Sequence, residues 1–359
     1  MTAEDLQNQC QQAFALLKEI HRRATLTLPQ ETEETTLKYT EFHWDGRPRP
    51  MTAIDGSYRK LWHDWRTDSS IYLFRAAATT YEYCKEDVMK LMNVDLIDRI
   101  ALLTRDKGAL KQQNRDDLAL EAKLNVALLD FASGGLRNAG GDREMALLAS
   151  GFQEFYEHQL ALKLAHETRG HLLAVDGALA TLKVQPLQAQ LHRLGGIAQR
   201  HDHWLVGVTK INRTKSLNRP FTDEEVISCC APDEAMAFVP WTPPRINWII
   251  QIGTSFFTRF HPKALKWFRV DLFPEKLVPA AVFSTVAQYS KDLRLPGYPV
   301  PLSEAHRICK MIRNVDVVPE QALLEAGLEA DLTPEQLMAG LTDQYERVAG
   351  GFHERLDRT

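Results

Sequence analysis

Two Asp-Gly dipeptides carry the side chains of this sequence that are best suited to binding a metal ion. Asp55 follows the apolar run that ends at Ile54, and Asp176 follows the apolar run 172–175. Each run predicts a buried strand, which would place each carboxylate at a strand end. Phosphodiester hydrolysis by Mg²⁺ or Mn²⁺ needs several such oxygen ligands at one point. Asp-Gly is also a common turn signal, but two copies after apolar strands favour a shared site.

A third carboxylate is expected from the helix that precedes the second of these strands. Glu154 and Glu157 lie three positions apart and therefore share one helix face. Either glutamate could reach the metal, and a solvent-facing charge pair is the alternative interpretation.

The segment from Gly297 to His306 supplies two further candidates. His306 lies early in a helical pattern, one position off its apolar face. Its imidazole could bind a metal or move a proton, because its pKa lies close to neutrality. A surface histidine is the simpler alternative. Tyr298, in a Gly-Tyr-Pro turn, is either a packed aromatic residue or a hydroxyl directed at a phosphate oxygen.

Two basic clusters are candidates for holding a phosphate backbone. The first follows a predicted strand and has only neutral residues between its cations: Lys210, Arg213, Lys215 and Arg219. The second places cations beside aromatic rings that could stack on unpaired bases: Arg59, Lys60 and Arg66 with Tyr58, Trp62 and Trp65. Phosphate neutralisation needs this local density of cations. The alternatives are a solvated loop for the first cluster and core tryptophans for the second.

The composition is that of an ordinary globular protein. Of the 359 residues, 44% are hydrophobic and 25% are charged, which suits one large or two modest domains. The net charge of −4 leaves room for a local basic groove. Five cysteines without a Cys-x-x-Cys pair disfavour a disulfide framework and a zinc site, and predict a reduced, cytoplasmic protein. We expect no membrane association, since no apolar run approaches about 18 residues.

Several well-known catalytic motifs are missing from the sequence. It contains no Gly-x-x-x-x-Gly-Lys-Ser/Thr phosphate loop, no Gly-x-Ser-x-Gly elbow, no His-Glu-x-x-His and no dinucleotide fingerprint. ATP hydrolysis, serine esterase chemistry and nicotinamide redox chemistry are therefore unsupported. If the chain takes part in an ATP-driven process, a partner must supply the motor.

Strand and helix patterns alternate along the chain, which predicts an α/β fold with a mixed sheet flanked by helices. Strands are predicted over 51–57, 70–78, 171–176 and 204–208, with strand-like runs near 247–258 and 265–272. Helices are predicted over 84–131, 143–168, 187–200, 279–290 and 302–314, with a mobile glycine-rich loop at 133–141.

Three parts of the chain follow from these patterns. Residues 1–50 form an N-terminal amphipathic helix and connector, residues 51–318 form the core with a helical insertion at about 84–145, and residues 319–359 form a C-terminal helical extension. The extension includes a capping-box pattern that starts at Thr333. The terminal helices either cover the core of their own chain or form a dimer or motor interface.

The candidate residues occur in an order that resembles the NurA nuclease family. The matching segments, spread over roughly residues 50–316, are Ile54-Asp55-Gly56-Ser57, the glutamate-bearing helix, Val175–Leu179, Leu205–Lys210 and Gly297–His306. The resemblance implies a ribonuclease H-like core and Mn²⁺- or Mg²⁺-dependent cleavage of single- or double-stranded DNA. It also implies a homodimer and a HerA-type hexameric ATPase as partner in DNA end processing and double-strand break repair.

The resemblance also implies roles for individual residues. Asp55, Glu157, Asp176 and His306 match the metal-site positions, with Glu154 in reserve for Glu157. Tyr298 matches the active-site tyrosine. Ala178 stands where family members often have serine, which removes one hydroxyl.

The sequence therefore predicts a metal-dependent DNA nuclease, acting as an endonuclease or exonuclease. Lys210, Arg213, Lys215 and Arg59 are its predicted DNA contacts. Two alternatives remain open: a non-cleaving protein of the same fold that binds DNA or a motor, and a ribonuclease H-like enzyme that acts on RNA.

Overall fold

The computed structural model describes most of the chain beyond residue 36. The described residues are 37–44, 46–64, 67–84, 88–107, 116–135, 141–210, 213–217, 221–232, 235–264, 266–313, 318–330, 332–335 and 337. The chain divides into two compact units, Met1–Lys38 and Tyr39–Thr359, and all elements below belong to the second. The predicted N-terminal helix and most of the predicted C-terminal helix lie outside the described residues. The predicted domain boundaries at residues 50 and 318 stay predictions.

Nine strands form one large mixed sheet, and two short strands pair separately. The strands are β1 (Thr40–Glu41), β2 (Met51–Asp64), β3 (Ser69–Tyr83), β4 (Met89–Leu103), β5 (Leu172–Asp176), β6 (Ala180–Leu182), β7 (Trp204–Thr209), β8 (Ala237–Trp241), β9 (Ile249–Gln251), β10 (Thr254–Arg259) and β11 (Phe268–Phe273). The large sheet has the order β1-β8-β10-β11-β7-β5-β2-β3-β4, and β6 pairs with β9.

Seven helices and one 3₁₀ turn accompany these strands in the described part of the chain. They are α1 (Asp116–Gly135), α2 (Gly141–Glu167), α3 (Gln185–Arg200), α4 (Asp223–Cys230), α5 (Pro279–Gln288), α6 (Val300–Lys310), the 3₁₀ turn Met311–Arg313, and α7 (Val318–Glu329). None of these described helices combines the length and apolar character that a membrane span requires.

The centre of the sheet has a ribonuclease H-like arrangement. β2, β3 and β4 form a long antiparallel ribbon. β5 and β7 then continue the sheet parallel to β2. Parallel neighbours need crossover connections, and the helices α2 and α3 occur where such connections are required. The predicted α/β fold with a mixed sheet flanked by helices is confirmed.

Each face of the sheet has its own apolar core. On one face, α2 and α3 pack through residues such as Phe152 and Leu194 against Ile54 and Val175. On the other face, Phe283 of α5 and Leu302 of α6 belong to a second cluster, which includes Ala53 and Ala174. Successive strand residues point to opposite faces. Asp55 therefore shares the α6 face with Ala53, and Asp176 shares it with Ala174.

The predicted helical insertion at about 84–145 is wrong in its first part, because Met89–Leu103 forms strand β4. The strand pairs with β3 along almost its whole length. The predicted helix rested on a composition rich in Leu, Ala, Lys and Asp, but apolar and polar residues alternate over Met92–Leu96, which is the strand period. The helix α1 begins only at Asp116, and it includes Ser133–Gly135, the start of the predicted mobile loop.

One face of β4 carries a row of exposed apolar side chains, here called the β4 row. Its members are Met92, at a shift in the pairing with β3, and four residues that alternate along the regularly paired part of the strand and therefore share a face: Val94, Leu96, Ile100 and Leu102. Each of the five has at least 40% of its surface exposed. Isolated exposed apolar residues are ordinary, whereas a row of this kind is a candidate interaction surface.

Candidate metal centre

The register of two parallel strands brings the two Asp-Gly carboxylates together. β2 pairs with β5 so that Ile54 lies opposite Val175, and this pairing ends there. The next residues along the two strands are Asp55 and Asp176, on the same face of the sheet. β2 itself continues to Asp64. Asp55 is thus not at a strand end, as the sequence predicted, but at the point where the parallel pairing stops.

His306 reaches this pair of carboxylates from α6. Its Nδ1 atom lies 2.5 Å from Oδ2 of Asp55 and 4.0 Å from Oδ2 of Asp176. One turn later, Sγ of Cys309 lies 3.0 Å from the backbone oxygen of Asp55 and donates to it. This contact fixes α6 against β2 at the level of the site. The structure therefore brings together Asp55, Asp176 and His306, three of the predicted metal-site residues.

Lys210 supplies a positive charge to the same group. Asp176 lies opposite Val208 on β7, and Lys210 follows two residues later on the same face. Its Nζ atom lies 2.5 Å from Oδ2 of Asp176 and 5.1 Å from the centre of the Tyr298 ring. Lys210 was predicted to contact DNA, and here it neutralises a carboxylate of the site.

The buried surroundings of Asp55 change its ionisation. Only 4% of its surface is exposed. Burial raises the pKa of Asp55 to about 7, and the neighbouring Asp176 carboxylate adds to the rise. The Lys210 ammonium and the Gly56 N–H, 2.7 Å from Oδ1, oppose it. Two close carboxylates ionise together only when positive charge is near, and a cation between them would provide it.

Glu157 approaches from the opposite face of the sheet, where α2 packs. Gly56 has no side chain there, and a Cβ atom on it would lie 2.2 Å from Oε1 of Glu157. Nε2 of Gln153 lies 2.7 Å from that oxygen and 3.1 Å from the Gly56 carbonyl, donating to both. Glu157 therefore lies against β2 directly after Asp55. Burial, followed by the charge of Asp55, raises its pKa well above the ordinary value.

Glu154, the reserve candidate, lies one turn earlier on α2 and lines a separate cavity with Ala178 and Thr181. Burial raises the pKa of Glu154 to about 7, and a hydrogen bond from Thr181 opposes the rise. Of the two glutamates, Glu157 is the one in contact with the Asp55-Gly56 segment. Its role as a metal ligand remains a prediction, as does the reserve role of Glu154.

Tyr298 lies beside Lys210 with its ring buried against Phe268. Burial raises the pKa of its hydroxyl above the ordinary value, and the charges of Asp176 and Asp55 add to the rise. The phenol therefore stays protonated at neutral pH and can act as a hydrogen-bond donor toward an anion.

The remaining basic candidates lie further from the carboxylates along the chain. Arg213 and Lys215 are exposed in the segment 213–217. Asp223 anchors that segment by accepting hydrogen bonds from Ser216 and Leu217 at 2.6 to 2.8 Å. Arg59 lies on the same face of β2 as Asp55, four residues later, where the strand pairs with β3.

The second basic cluster, near Arg59, was predicted to offer aromatic rings for stacking on bases. Tyr58 packs against Tyr72 and Phe74 in the core, so its ring is not available to a base. Trp65, Arg66 and Arg219 lie outside the described residues.

Asp271 is a buried residue of this region that the sequence analysis missed. Its Oδ2 lies 2.9 Å from the Leu179 amide nitrogen, which donates to it, and its Oδ1 lies 2.5 Å from the Ser255 hydroxyl. The Arg269 guanidinium lies 3.0 Å from Oδ2. Asp271 thus fixes the loop after Asp176, in which Gly177 has a φ of 126° that favours glycine. The sequence signal that could have identified Asp271 is that it is the one acidic residue in the otherwise largely apolar strand Phe268–Phe273.

We expect Asp271→Asn to lower the free energy of unfolding by about 1–3 kcal/mol, because an amide nitrogen placed among these donors leaves hydrogen bonds unmade. Urea unfolding followed by circular dichroism measures the change. Asp202→Asn is the matched control, since Asp202 is exposed and has a φ of 56° that asparagine tolerates. An equal effect of the two substitutions would contradict the anchoring role of Asp271.

The three converging side chains fit a divalent cation. One ligand atom from each of Asp55, Asp176 and His306 can be chosen so that all lie within 4.8 Å of one another. Two carboxylate oxygens and an imidazole nitrogen are donors that suit Mn²⁺, and the oxygens suit Mg²⁺. Glu157 could add an oxygen from the other face of the sheet.

Comparison with known proteins identifies the fold. No family model matches the chain, and no curated protein matches its sequence. The crystal structure of the NurA nuclease from Sulfolobus solfataricus is similar at a TM-score of 0.52 and 15% identity, over 93% of this chain and 99% of that chain. The chain therefore has a NurA-like fold.

Two other solved structures are more distant. Human endonuclease V has a TM-score of 0.35 at 12% identity, over 76% of this chain and 87% of that chain. Argonaute from A. aeolicus has a TM-score of 0.31 at 11% identity, over 74% of this chain and 28% of that chain. Similarities of this size carry no argument about fold or function.

Proposed function

We propose that this protein is a divalent-metal-dependent nuclease that hydrolyses phosphodiester bonds in DNA. The observation that carries the proposal is the convergence of Asp55, Asp176 and His306 on one point of a NurA-like fold. These three potential ligands come from strands β2 and β5 and helix α6, and they follow the order of the NurA-like motifs. A chance cluster of acidic surface residues would not be expected to show that order.

Each residue of the site has its own role in the proposed reaction. Asp55 and Asp176 would hold the ion, His306 would complete its ligands, and Glu157 would add an oxygen from α2. A divalent ion at this point supplies Lewis-acid chemistry that activates water and stabilises charge on the phosphate. Lys210 neutralises Asp176 and the DNA strand, while the protonated Tyr298 hydroxyl donates to a phosphate oxygen.

The direct test is a cleavage assay with the purified full-length protein. Labelled single-stranded DNA, double-stranded DNA and RNA of one sequence are incubated with Mn²⁺ or Mg²⁺, with and without EDTA. We expect DNA to be cut and EDTA to stop the cutting. Binding of DNA without any cleavage would support the non-cleaving alternative, and preferential cutting of RNA would support the ribonuclease alternative.

We further propose a role in DNA end processing and double-strand break repair with a HerA-like hexameric ATPase. The support is the resemblance to NurA proteins, together with a sequence that lacks a phosphate loop of its own. Co-purification of the two proteins from a mixture, and faster resection of blunt DNA in the presence of ATP, are the expected results. A cytoplasmic location remains a prediction.

The proposed homodimer has a candidate surface in the β4 row. We expect Leu96→Asp to convert the dimer to a monomer, because a buried unpaired charge opposes association. Size-exclusion chromatography with light scattering measures the mass. Leu293→Asp is the control, since Leu293 is also exposed but lies outside β4. A dimer that survives Leu96→Asp would place the interface elsewhere.

A further inference from the structure

A cavity of about 540 Å³ lies next to the candidate metal centre, on the α2 side of the sheet. Two residues that line the cavity are close along the chain to residues of that centre. Ala178 is the second residue after Asp176, and Glu154 lies one helical turn before Glu157. A chain molecule with one phosphate at the Asp55 group would therefore have a neighbouring part close to this cavity. The volume is within the usual range for a site that takes one small molecule.

Positive charge dominates the polar lining of the cavity. Lys183, Arg245 and Arg269 contribute three cations, against the single carboxyl of Glu154. The Arg269 guanidinium is held by Asp271 and by Gln251, whose Oε1 lies 3.1 Å away, and it lies over the Trp241 ring. Lys183 and Arg245 are exposed and can move toward a ligand. Because Arg269 is paired with Asp271, the cations that a ligand could use are Lys183 and Arg245. Guanidinium groups bind phosphate through paired hydrogen bonds, which makes this lining suited to an anion.

The rest of the lining suits a flat ring with polar edges. Pro243, Pro244 and Ile246 provide apolar surface without any charge. Glu154, Thr181 and Asn247 contribute a carboxyl, a hydroxyl and an amide to the residues that line the cavity. Cations, apolar walls and a few hydrogen-bonding groups in one cavity are the combination that binds a nucleotide: its phosphate, its base plane and its base edge.

We propose that this cavity binds the nucleotide that adjoins the scissile phosphate, with Lys183 and Arg245 on its phosphate and the Pro243–Ile246 wall against its base. The inference rests on the proposed nuclease function and deepens it. It divides the substrate contacts between two faces of the sheet: the Asp55 group holds the reacting phosphate on the α6 side, and the cavity holds the adjoining nucleotide on the α2 side.

The test measures mononucleotide binding without metal, so that it does not depend on cleavage. The four deoxynucleoside 5′-monophosphates are titrated into full-length protein in EDTA, and dissociation constants are obtained by calorimetry or ligand-observed NMR. We expect Arg245→Ala and Lys183→Ala each to weaken binding about fivefold or more, equivalent to about 1 kcal/mol. Lys163→Ala is the control, because Lys163 pairs with Asp95 on β4 and does not line the cavity.

The outcomes separate this inference from the proposed function. Weaker binding in both cavity variants and unchanged binding in Lys163→Ala supports the subsite, even if the protein cuts no DNA. Unchanged binding in both cavity variants overturns it, even if the protein is an active nuclease. A crystal soaked with dGMP gives an independent reading: density between Arg245 and Pro243 supports the subsite, and density only at the Asp55 group overturns it.

Discussion

Replacing Asp55 or Asp176 by asparagine should reduce metal-dependent DNA cleavage by at least about a hundredfold, because each change removes an anionic oxygen from a centre with few ligands. Because asparagine has nearly the shape of aspartate, a loss of cleavage activity would reflect the missing negative charge and not a change in packing. The measurement is the single-turnover rate on labelled DNA at saturating Mn²⁺. A parallel titration of Mn²⁺ binding should show weaker affinity in both variants.

Stability provides the control for this result. Burial and the Asp176 carboxylate raise the pKa of Asp55, so the ionised form of Asp55 is disfavoured in the folded protein. Asp55→Asn should therefore unfold at a temperature no lower than the unsubstituted protein at pH 8. Asp292→Asn, in a surface pair with Arg294, should leave the cleavage rate unchanged. Full cleavage activity in either site variant would refute the metal centre.

The positions of Asp55 and Asp176 were predictable because two local signals reinforce each other. Each acid follows a short apolar run that predicts a buried strand, and each is followed by a glycine. The parallel pairing of β2 with β5, which aligns the two runs and brings the acids together, joins strands separated by β3 and β4 along the chain and is a property of the fold. The place of His306 depends on how α6 packs on β2, which no local pattern around His306 encodes.

Other parts of the molecule depend on contacts that the sequence does not display. β4 was mistaken for a helix because its pairing with β3, and not its local composition, decides its structure. Asp271 was missed because its partners Leu179 and Ser255 are distant along the chain. The contact between the Glu157 side chain and Gly56 depends on how closely α2 packs against the sheet. The hydrophobic periodicity of the helix does not give that distance.

Glu157→Gln should lower the cleavage rate by about tenfold to a hundredfold without destabilising the protein, because removing an anionic ligand costs metal affinity or activity. Burial and the charge of Asp55 raise the pKa of Glu157, so a neutral amide is well tolerated at this position when no metal is bound. Glu154→Gln is the matched control on the same helix. It should change kcat less than about threefold, and any effect should fall on KM. A larger loss of kcat from Glu154→Gln would make that residue the ligand.

Gly56→Ala tests the same assignment from the other side of the contact. The added Cβ atom would lie 2.2 Å from Oε1 and 2.7 Å from Cγ of Glu157, so the carboxyl must move away from Asp55. The clash involves side-chain atoms of Glu157 and no backbone, although it includes Cγ as well as the carboxyl. We expect cleavage to fall, and circular dichroism measures whether the fold survives. Since both substitutions remove the same ligand, Gly56→Ala should cost little more when Glu157 is already glutamine. Fully additive losses in this double-mutant cycle would mean that Gly56 acts through something other than Glu157.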